Sequence, residues 1–573
     1  MSEFKFTYDE ISKRNHKDDL VVIVKGLAYD LTDFAPEHPG GMKILLKYAG
    51  KDATEAYEPI HPPGTLEEYL PKDKHLGKVD MTGVEVEVKE ETEEEKARKI
   101  RVANKPNISE ILSLYDFEAV AKSILPTAAW AYYSSGADDE ITMRENRSAY
   151  QRVSTYYITR PQQLRYIPRR FRPLSPRATS ALALEISVSR ALCSEHPVAD
   201  AASGETNADV LPNRSFFPLQ IWFRPRVLRD VTNVDFSSSI LGMPTSLPVY
   251  ATATALGRLG HPDGEKNLTW GCAEHDIIQM IPTLASCSFD EIVDAAKPGQ
   301  NMVMQLYVNK ASFYLAHPIT ERIVRHAEKR GVKGLFITVD APQLGRREKD
   351  MRHKFSDEGS DMQKGSEVDK SQGAARAISS FIDPGLSWKD IEWFKSITKM
   401  PLILKGVQCW EDAVLAAEAG LAGVVLSNHG GRQLDFAKSG IEILVEVMDA
   451  LRERDLLKGG FEVYIDGGVR RAGDILKAVA LGAKAVGLGR PLLYAYCAYG
   501  KEGVSRALQI LKDEMEMNLR LIGAPTLADV TPDMVDIRGL SSRNVDCNPD
   551  YLMRANYEPL QGVGNGLGAK PRL

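Results

Sequence analysis

Only six cysteines occur in 573 residues, Cys193, Cys272, Cys287, Cys409, Cys497 and Cys547, and none forms a CxxC or CxxCH pair. That spacing excludes thiolate zinc sites and covalent c-type haem attachment, and it points to a reducing compartment. No apolar run reaches 18 residues, and the opening MSEFKFTYDEISK mixes its charges, so neither a membrane span nor a signal peptide is expected. A basic excess is also missing. Against 72 Lys and Arg stand 78 Asp and Glu, a formal net charge of -6, which leaves no broadly cationic surface for nucleic acid. Glycine and proline, at 44 and 31, are too few for a collagen-like or wholly disordered chain. At roughly 100 to 200 residues per domain, the length requires at least two folding units.

Residues 1–83 hold short strand-like runs (VVIVKG, LAYDLTDF), tight HPGG and PPG turns and an amphipathic helix near 43–48, the pattern of one compact small domain. Residues 84–107 carry seven glutamates between Glu85 and Glu95 and too little apolar surface for a core, which predicts a solvated, flexible linker. From residue 108 the spacing changes. Packed helices come first, then eight apolar runs (LPVYATA, IIQMIPT, MVMQLYV, GLFITVD, PLILKG, AGVVLSN, FEVYIDG, AVGLG), mostly separated by amphipathic stretches such as ITERIVRHAEKR. Eight units in series predict a (β/α)8 TIM barrel over 108–573, behind the small α+β domain. A doubly wound sheet is the rival, but it concentrates a glycine fingerprint after an early strand, whereas here polar residues follow many strands. A polar stretch at 354–380 predicts an exposed loop after the fourth strand, and 541–573 an aperiodic tail.

His38 in PEHPGG and His61 in YEPIHPPG sit beside turns that can hold an imidazole rigidly, with Leu31, Phe34, Ile44, Leu45 and Ile60 available to line a slot between them. Structural roles and iron ligation are both open to such a pair. In the barrel, Tyr307, Asp340, Lys405, His429, Arg432, Asp466 and Arg470 all follow strands directly, so one mouth collects them. A histidine near a carboxylate suits proton abstraction, which fits His429 with Asp340. Arg432 and Arg347 offer planar forks for an anion such as the carboxylate of a 2-hydroxy acid. The glycine turns of DGGVR and GLGRP, with Arg470 and Arg490, suit a phosphate late in the barrel, favouring FMN over a dinucleotide.

DLTDFAPEHPGG with the downstream EPIH resembles the cytochrome b5 fold, which implies that His38 and His61 are the axial ligands of a haem b. Residues 108–530, with SNHGGRQLD as the most specific signature, resemble the FMN-dependent 2-hydroxy acid dehydrogenase and oxidase family. Both halves in this order resemble its flavocytochrome b2 group, which oxidises L-lactate to pyruvate and passes electrons through haem to cytochrome c. The resemblance implies that His429 is the base, supported by Asp340. It places Tyr132 and Arg432 on the substrate carboxylate and Tyr307 on its hydroxyl, with Arg347 assisting. Ala255 and Leu284 would line the pocket, and their modest size favours a short aliphatic acid. Lys405 would lie beside the flavin N1 and C2 carbonyl edge. Gln305 and Thr338 would meet the pyrimidine ring, with Thr254 and Ala255 beneath the isoalloxazine. Asp466 is a further cofactor contact, and Gly468, Arg470, Gly489 and Arg490 hold the phosphate. A homotetramer is implied too. The rivals are an oxidase that passes electrons to oxygen and a non-catalytic haem electron-transfer protein.

Two departures stand out. The family pattern breaks at 154–220, a stretch of 67 residues with eight arginines, seven prolines and no lysine. Its composition reads as translated non-coding sequence, with a genuine disordered insertion as the alternative. Pro282 stands where family members can place a serine that hydrogen-bonds the flavin, and proline has no such group. The terminal Pro571-Arg572-Leu573 resembles a variant of the SKL peroxisomal address, so cytosol or peroxisome is expected, with the mitochondrial intermembrane space as the alternative.

Overall fold

The computed structural model describes residues 5–35, 42–57, 66, 70–81, 92–151, 222–309, 316–353 and 382–537. His38, His61, the 154–220 stretch, the 354–380 loop and the 541–573 tail lie outside the described residues.

In the small domain, strand Asp19–Val24 sends its side chains alternately into two apolar clusters. Leu20, Val22 and Val24 join Tyr29, Leu31, Leu45, Leu66 and Leu70 in one cluster, while Val21 and Ile23 join Ile11, Ala28 and Val79 in another. A strand buried on both faces reads as a continuous apolar run, and DLVVIV does so. Five strands order as Phe6–Thr7, His75–Asp80, Leu27–Asp30, Asp19–Val24 and Asn15–His16, with only the first pair parallel.

The acidic stretch departs from its expectation. Residues Glu93–Ala103, inside the region read as a flexible linker, form a helix. Thr92 and Glu95 cap it reciprocally, and three glutamates occupy the first turn, where the helix dipole favours anions. No residue of this helix is buried, as the low apolar content requires. It is held instead by arginines at the carbonyl end of helix Leu114–Ile124: Arg101 Nε donates to the Ser123 carbonyl (2.6 Å) and Arg98 Nη1 to that of Ile124 (3.3 Å). Counting only apolar surface overlooks capping and charge.

The expected barrel is present, closed by eight parallel strands: Val249–Ala251, Ile278–Ile281, Met302–Leu306, Leu335–Thr338, Leu402–Val407, Gly423–Leu426, Glu462–Asp466 and Ala485–Leu488. Alternate residues point to opposite sides. Tyr250, Met280, Val303, Phe336, Ile403, Val425 and Tyr464 fill the interior, whereas Leu335, Ile337, Leu402, Leu404, Val424 and Leu426 belong to the large cluster shared with the surrounding helices. The helical stretch after the last barrel strand, Arg490–Ile522, kinks at Tyr499 and Gly500, where Gly500 takes a φ of 60°.

Candidate active site

The carboxyl ends of the barrel strands deliver their polar residues to one cavity. It is lined by Thr254 and Ala255 after the first strand, Leu284 after the second, Gln305 and Tyr307 from the third, and Thr338 from the fourth. Lys405, His429, Asp466 and Gly489 follow from the fifth, sixth, seventh and eighth, while Tyr132 enters from helix Thr127–Ser134 ahead of the barrel. Arg347, Arg432, Gly468, Arg470 and Arg490 complete the wall. Of the residues singled out in the barrel, only Asp340 is not in this lining. Its side chain is wholly buried behind His429.

The SNHGGRQLD segment folds each of its polar side chains into a separate task. Ser427 Oγ accepts from the His429 amide (3.1 Å) and from Lys405 Nζ (3.3 Å). Asn428 exchanges hydrogen bonds with Asn146, 2.8 Å each way. Gln433 Nε2 donates to the Asp340 carbonyl (2.8 Å), and Asp435 accepts the amides of Ile141 and Thr142 at a helix N-terminus. His429 itself has a φ of 58°, a left-handed conformation that L residues with a side chain adopt rarely and that histidine tolerates better than most.

Asp340 Oδ1 lies 3.1 Å from His429 Nδ1. A carboxylate only accepts, so Nδ1 carries the proton and Nε2 keeps its lone pair, facing the Tyr307 hydroxyl at 3.2 Å. Burial lowers the imidazole pKa from its ordinary value, with Lys405 and Arg347 adding to the effect and Asp340 opposing it. The result is a neutral histidine at pH 7 with a free nitrogen, as a base requires. Gly406 makes room for the pair: a Cβ there would lie 2.5 Å from Asp340 Cγ.

Beside this base stand two cations. Arg347 is 3% exposed, and its Nε donates to the Arg432 carbonyl at 3.2 Å. Arg432 stacks over the Tyr132 ring at 4.8 Å, and its Nη2 is buried without a partner. Among the described residues neither guanidinium forms an ion pair. Burial and the neighbouring Arg432 hold Arg347 below the usual guanidinium range. A buried and a half-buried positive charge facing one cavity call for an anion.

Lys405 lies 3.2 Å from Asp466 Oδ2 and is 5% exposed. Burial disfavours its charge, but Asp466 and Asp340 outweigh that and raise its pKa. Gln305 Nε2 donates to Thr338 Oγ1 (2.8 Å), while Thr283 pins the other end of the amide by donating its N–H to Gln305 Oε1 (3.1 Å). Thr254 Oγ1 and Asp466 Oδ1 are buried without partners. Farther along, Arg470 and Arg490 sit at the glycine turns. Gly468 is mandatory there, because a Cβ would lie 1.7 Å from the Asn146 carbonyl oxygen. Unpaired polar atoms along the cavity, a buried lysine at one end and two arginines beside tight glycine backbone at the other match a flavin mononucleotide. In the small domain, the described residues flanking the histidine turns, Phe34, Ala35, Met42, Tyr57 and Leu66, all pack in one apolar cluster, which fits the face of a haem.

Some contributors escape sequence reading. Glu118 pairs with Arg470 at 3.1 Å, and Thr283, Gln433, Asn146 and Glu265 act through contacts between distant segments. Apart from Gln433, which belongs to the SNHGGRQLD signature, no motif flags them, because each is a common polar residue in an ordinary helix or loop.

Residues 199–537 match the FMN-dependent dehydrogenase family model, and residues 7–80 match that of the cytochrome b5-like haem/steroid binding domain. The chain is 47% identical to the L-lactate dehydrogenase (cytochrome) of Wickerhamomyces anomalus over 98% of its own length and 85% of the relative. It is 42% identical to that of Saccharomyces cerevisiae, covering 97% and 84%. A flavocytochrome b2 mutant with pyruvate bound superposes with a TM-score of 0.62 at 42% identity, over 84% of this chain and all of that one. The chain therefore belongs to the FMN-dependent dehydrogenase family, with a cytochrome b5-like haem domain placed ahead of its barrel.

Proposed function

We propose that the protein oxidises L-lactate to pyruvate and passes the electrons through haem b to cytochrome c or a similar one-electron carrier. The observation that carries the anionic substrate is the pair of arginines at the cavity, Arg347 buried and Arg432 half-buried with a buried Nη2, without a carboxylate partner among the described residues. Tyr132 and Arg432 grip the substrate carboxylate, and Arg347 adds its charge. This orientation sets the hydroxyl beside Tyr307 and His429 Nε2 and removes most of the entropic cost of meeting the base. His429 takes the hydroxyl proton, and Asp340 stabilises the imidazolium that forms. Lys405 holds a positive charge at its end of the cavity, where it would stabilise negative charge on a bound flavin. Bound FMN supplies the two-electron acceptor, and haem, held by His38 and His61, the one-electron relay.

Anaerobic stopped-flow mixing with L-lactate tests the reading. Flavin bleaching is expected first and haem reduction second. A haem that stays oxidised after the flavin is reduced overturns the electron route, and abundant hydrogen peroxide with little carrier reduction establishes the oxidase instead.

The pH dependence follows from the base. Because His429 has a lowered pKa, kcat/KM is expected to rise with pH along a limb centred below the ordinary imidazole value of about 6.5 and to be flat at neutrality. Asp340→Asn removes the charge that raises that pKa, so the limb moves still lower while the plateau falls on the order of a hundredfold for want of imidazolium stabilisation. A limb that moves upward in Asp340→Asn contradicts the assignment.

A further inference from the structure

Glu265 opens the helix Lys266–Glu274, is 0% exposed and is unused by the mechanism above. Its carboxylate joins two loops. Oε1 accepts the amide of Gly257 (2.8 Å) and that of Ser286 (2.9 Å), and Oε2 accepts the amide of Cys287 (3.0 Å) and the Ser286 hydroxyl (3.0 Å). Gly257 lies two residues past Ala255, and Ser286 two residues past Leu284, two apolar side chains that line the cavity and that the family resemblance assigns to the substrate. Between these anchors, Leu256 is held left-handed, with φ 58° and ψ 46°, its amide donating to the Leu284 carbonyl (3.2 Å). Its own carbonyl accepts from the buried Tyr133 hydroxyl at 2.6 Å. Gly257 packs directly on this carboxyl group, so that a Cβ added there would lie 3.0 Å from the Glu265 carboxyl carbon.

We infer that Glu265 is a positioning residue that fixes the spacing of Ala255 and Leu284 and so sets the upper size of the 2-hydroxy acid side chain. A carboxylate suits this place because its oxygens only accept, and every group presented to them donates. A left-handed leucine persists only where its surroundings hold it, and here the clamp and Tyr133 do so. Releasing either lets the two loops part. The gain is room for larger side chains, and the loss is contact with a methyl group. One methylene of pocket size changes kcat/KM by roughly tenfold or more.

The inference rests on the proposed oxidation of a short L-2-hydroxy acid, so wild-type holoenzyme is assayed first with L-lactate and L-2-hydroxyhexanoate. Glu265→Gln turns an NH2 group toward amide donors while nearly conserving volume. It is expected to keep its flavin and haem absorbance, to raise KM for L-lactate about tenfold with kcat changed less than threefold, and to lower the lactate-to-hydroxyhexanoate ratio of kcat/KM at least tenfold. Tyr133→Phe, which frees the Leu256 carbonyl and the longer contact to the Gly257 carbonyl (3.4 Å), is expected to shift that ratio in the same direction by a smaller factor and decides the matter if Glu265→Gln does not fold. A ratio unchanged within twofold, with both substrates slowed alike, overturns the inference and leaves the function standing. Wild-type protein inert to both acids overturns the function instead.

Discussion

His429→Gln is expected to retain FMN and haem at wild-type stoichiometry and to slow flavin reduction by L-lactate on the order of a thousandfold. Glutamine preserves length and polarity. It can donate to Asp340 Oδ1 and accept from the Tyr307 hydroxyl, the two contacts that imidazole makes at 3.1 and 3.2 Å. What it lacks is a nitrogen lone pair that takes up a proton near neutral pH. The substrate still binds, because Tyr132, Arg347 and Arg432 are untouched, so the loss falls on kcat rather than on KM. Anaerobic stopped-flow absorbance reads the flavin rate directly, free of the later haem step. Reduction within tenfold of wild type would remove His429 from its role as base.

The barrel was legible because its strands are buried on both sides and read as near-continuous apolar runs of fixed length. All eight candidate strands became the eight staves. The polar residues singled out at strand ends came together for the same reason: a closed parallel barrel leaves them nowhere to go but one mouth. Tyr132 needed the family resemblance, since it lies on a helix ahead of the barrel and its approach depends on tertiary packing. Glu265 and Glu118 were invisible for a different reason. A glutamate in a helical stretch is ordinarily solvated, and only the fold shows that one lies against backbone amides and the other against Arg470. The helix Glu93–Ala103 was misjudged because its stability comes from a capping box and from arginine contacts to a neighbouring helix end, neither of which contributes to apolar periodicity.

Arg432→Met is expected to lower kcat/KM for L-lactate by roughly a hundredfold to a thousandfold. A charge-assisted hydrogen bond is worth about 1.5 to 3 kcal/mol, and a guanidinium can offer two to one carboxylate, with Arg347 left to retain part of the attraction. Methionine keeps the length and the contact with the Tyr132 ring, so packing changes little. Arg432→Lys restores the charge but not the fork and is expected to recover only part of the loss. Thermal stability gives an independent check of direction. Burial, and after it the repulsion from the neighbouring Arg432, lowers the Arg347 pKa. Removing Arg432 relieves that repulsion, so the thermal midpoint of ligand-free Arg432→Met is expected to stay level or rise. The chemical discrimination must collapse at the same time. Wild-type enzyme is expected to prefer lactate strongly over its neutral amide, because only the carboxylate meets the two cations, and Arg432→Met is expected to lose most of that preference. A variant that loses activity on lactate and lactamide in equal proportion would show that Arg432 supports the fold of the mouth and does not bind the carboxylate.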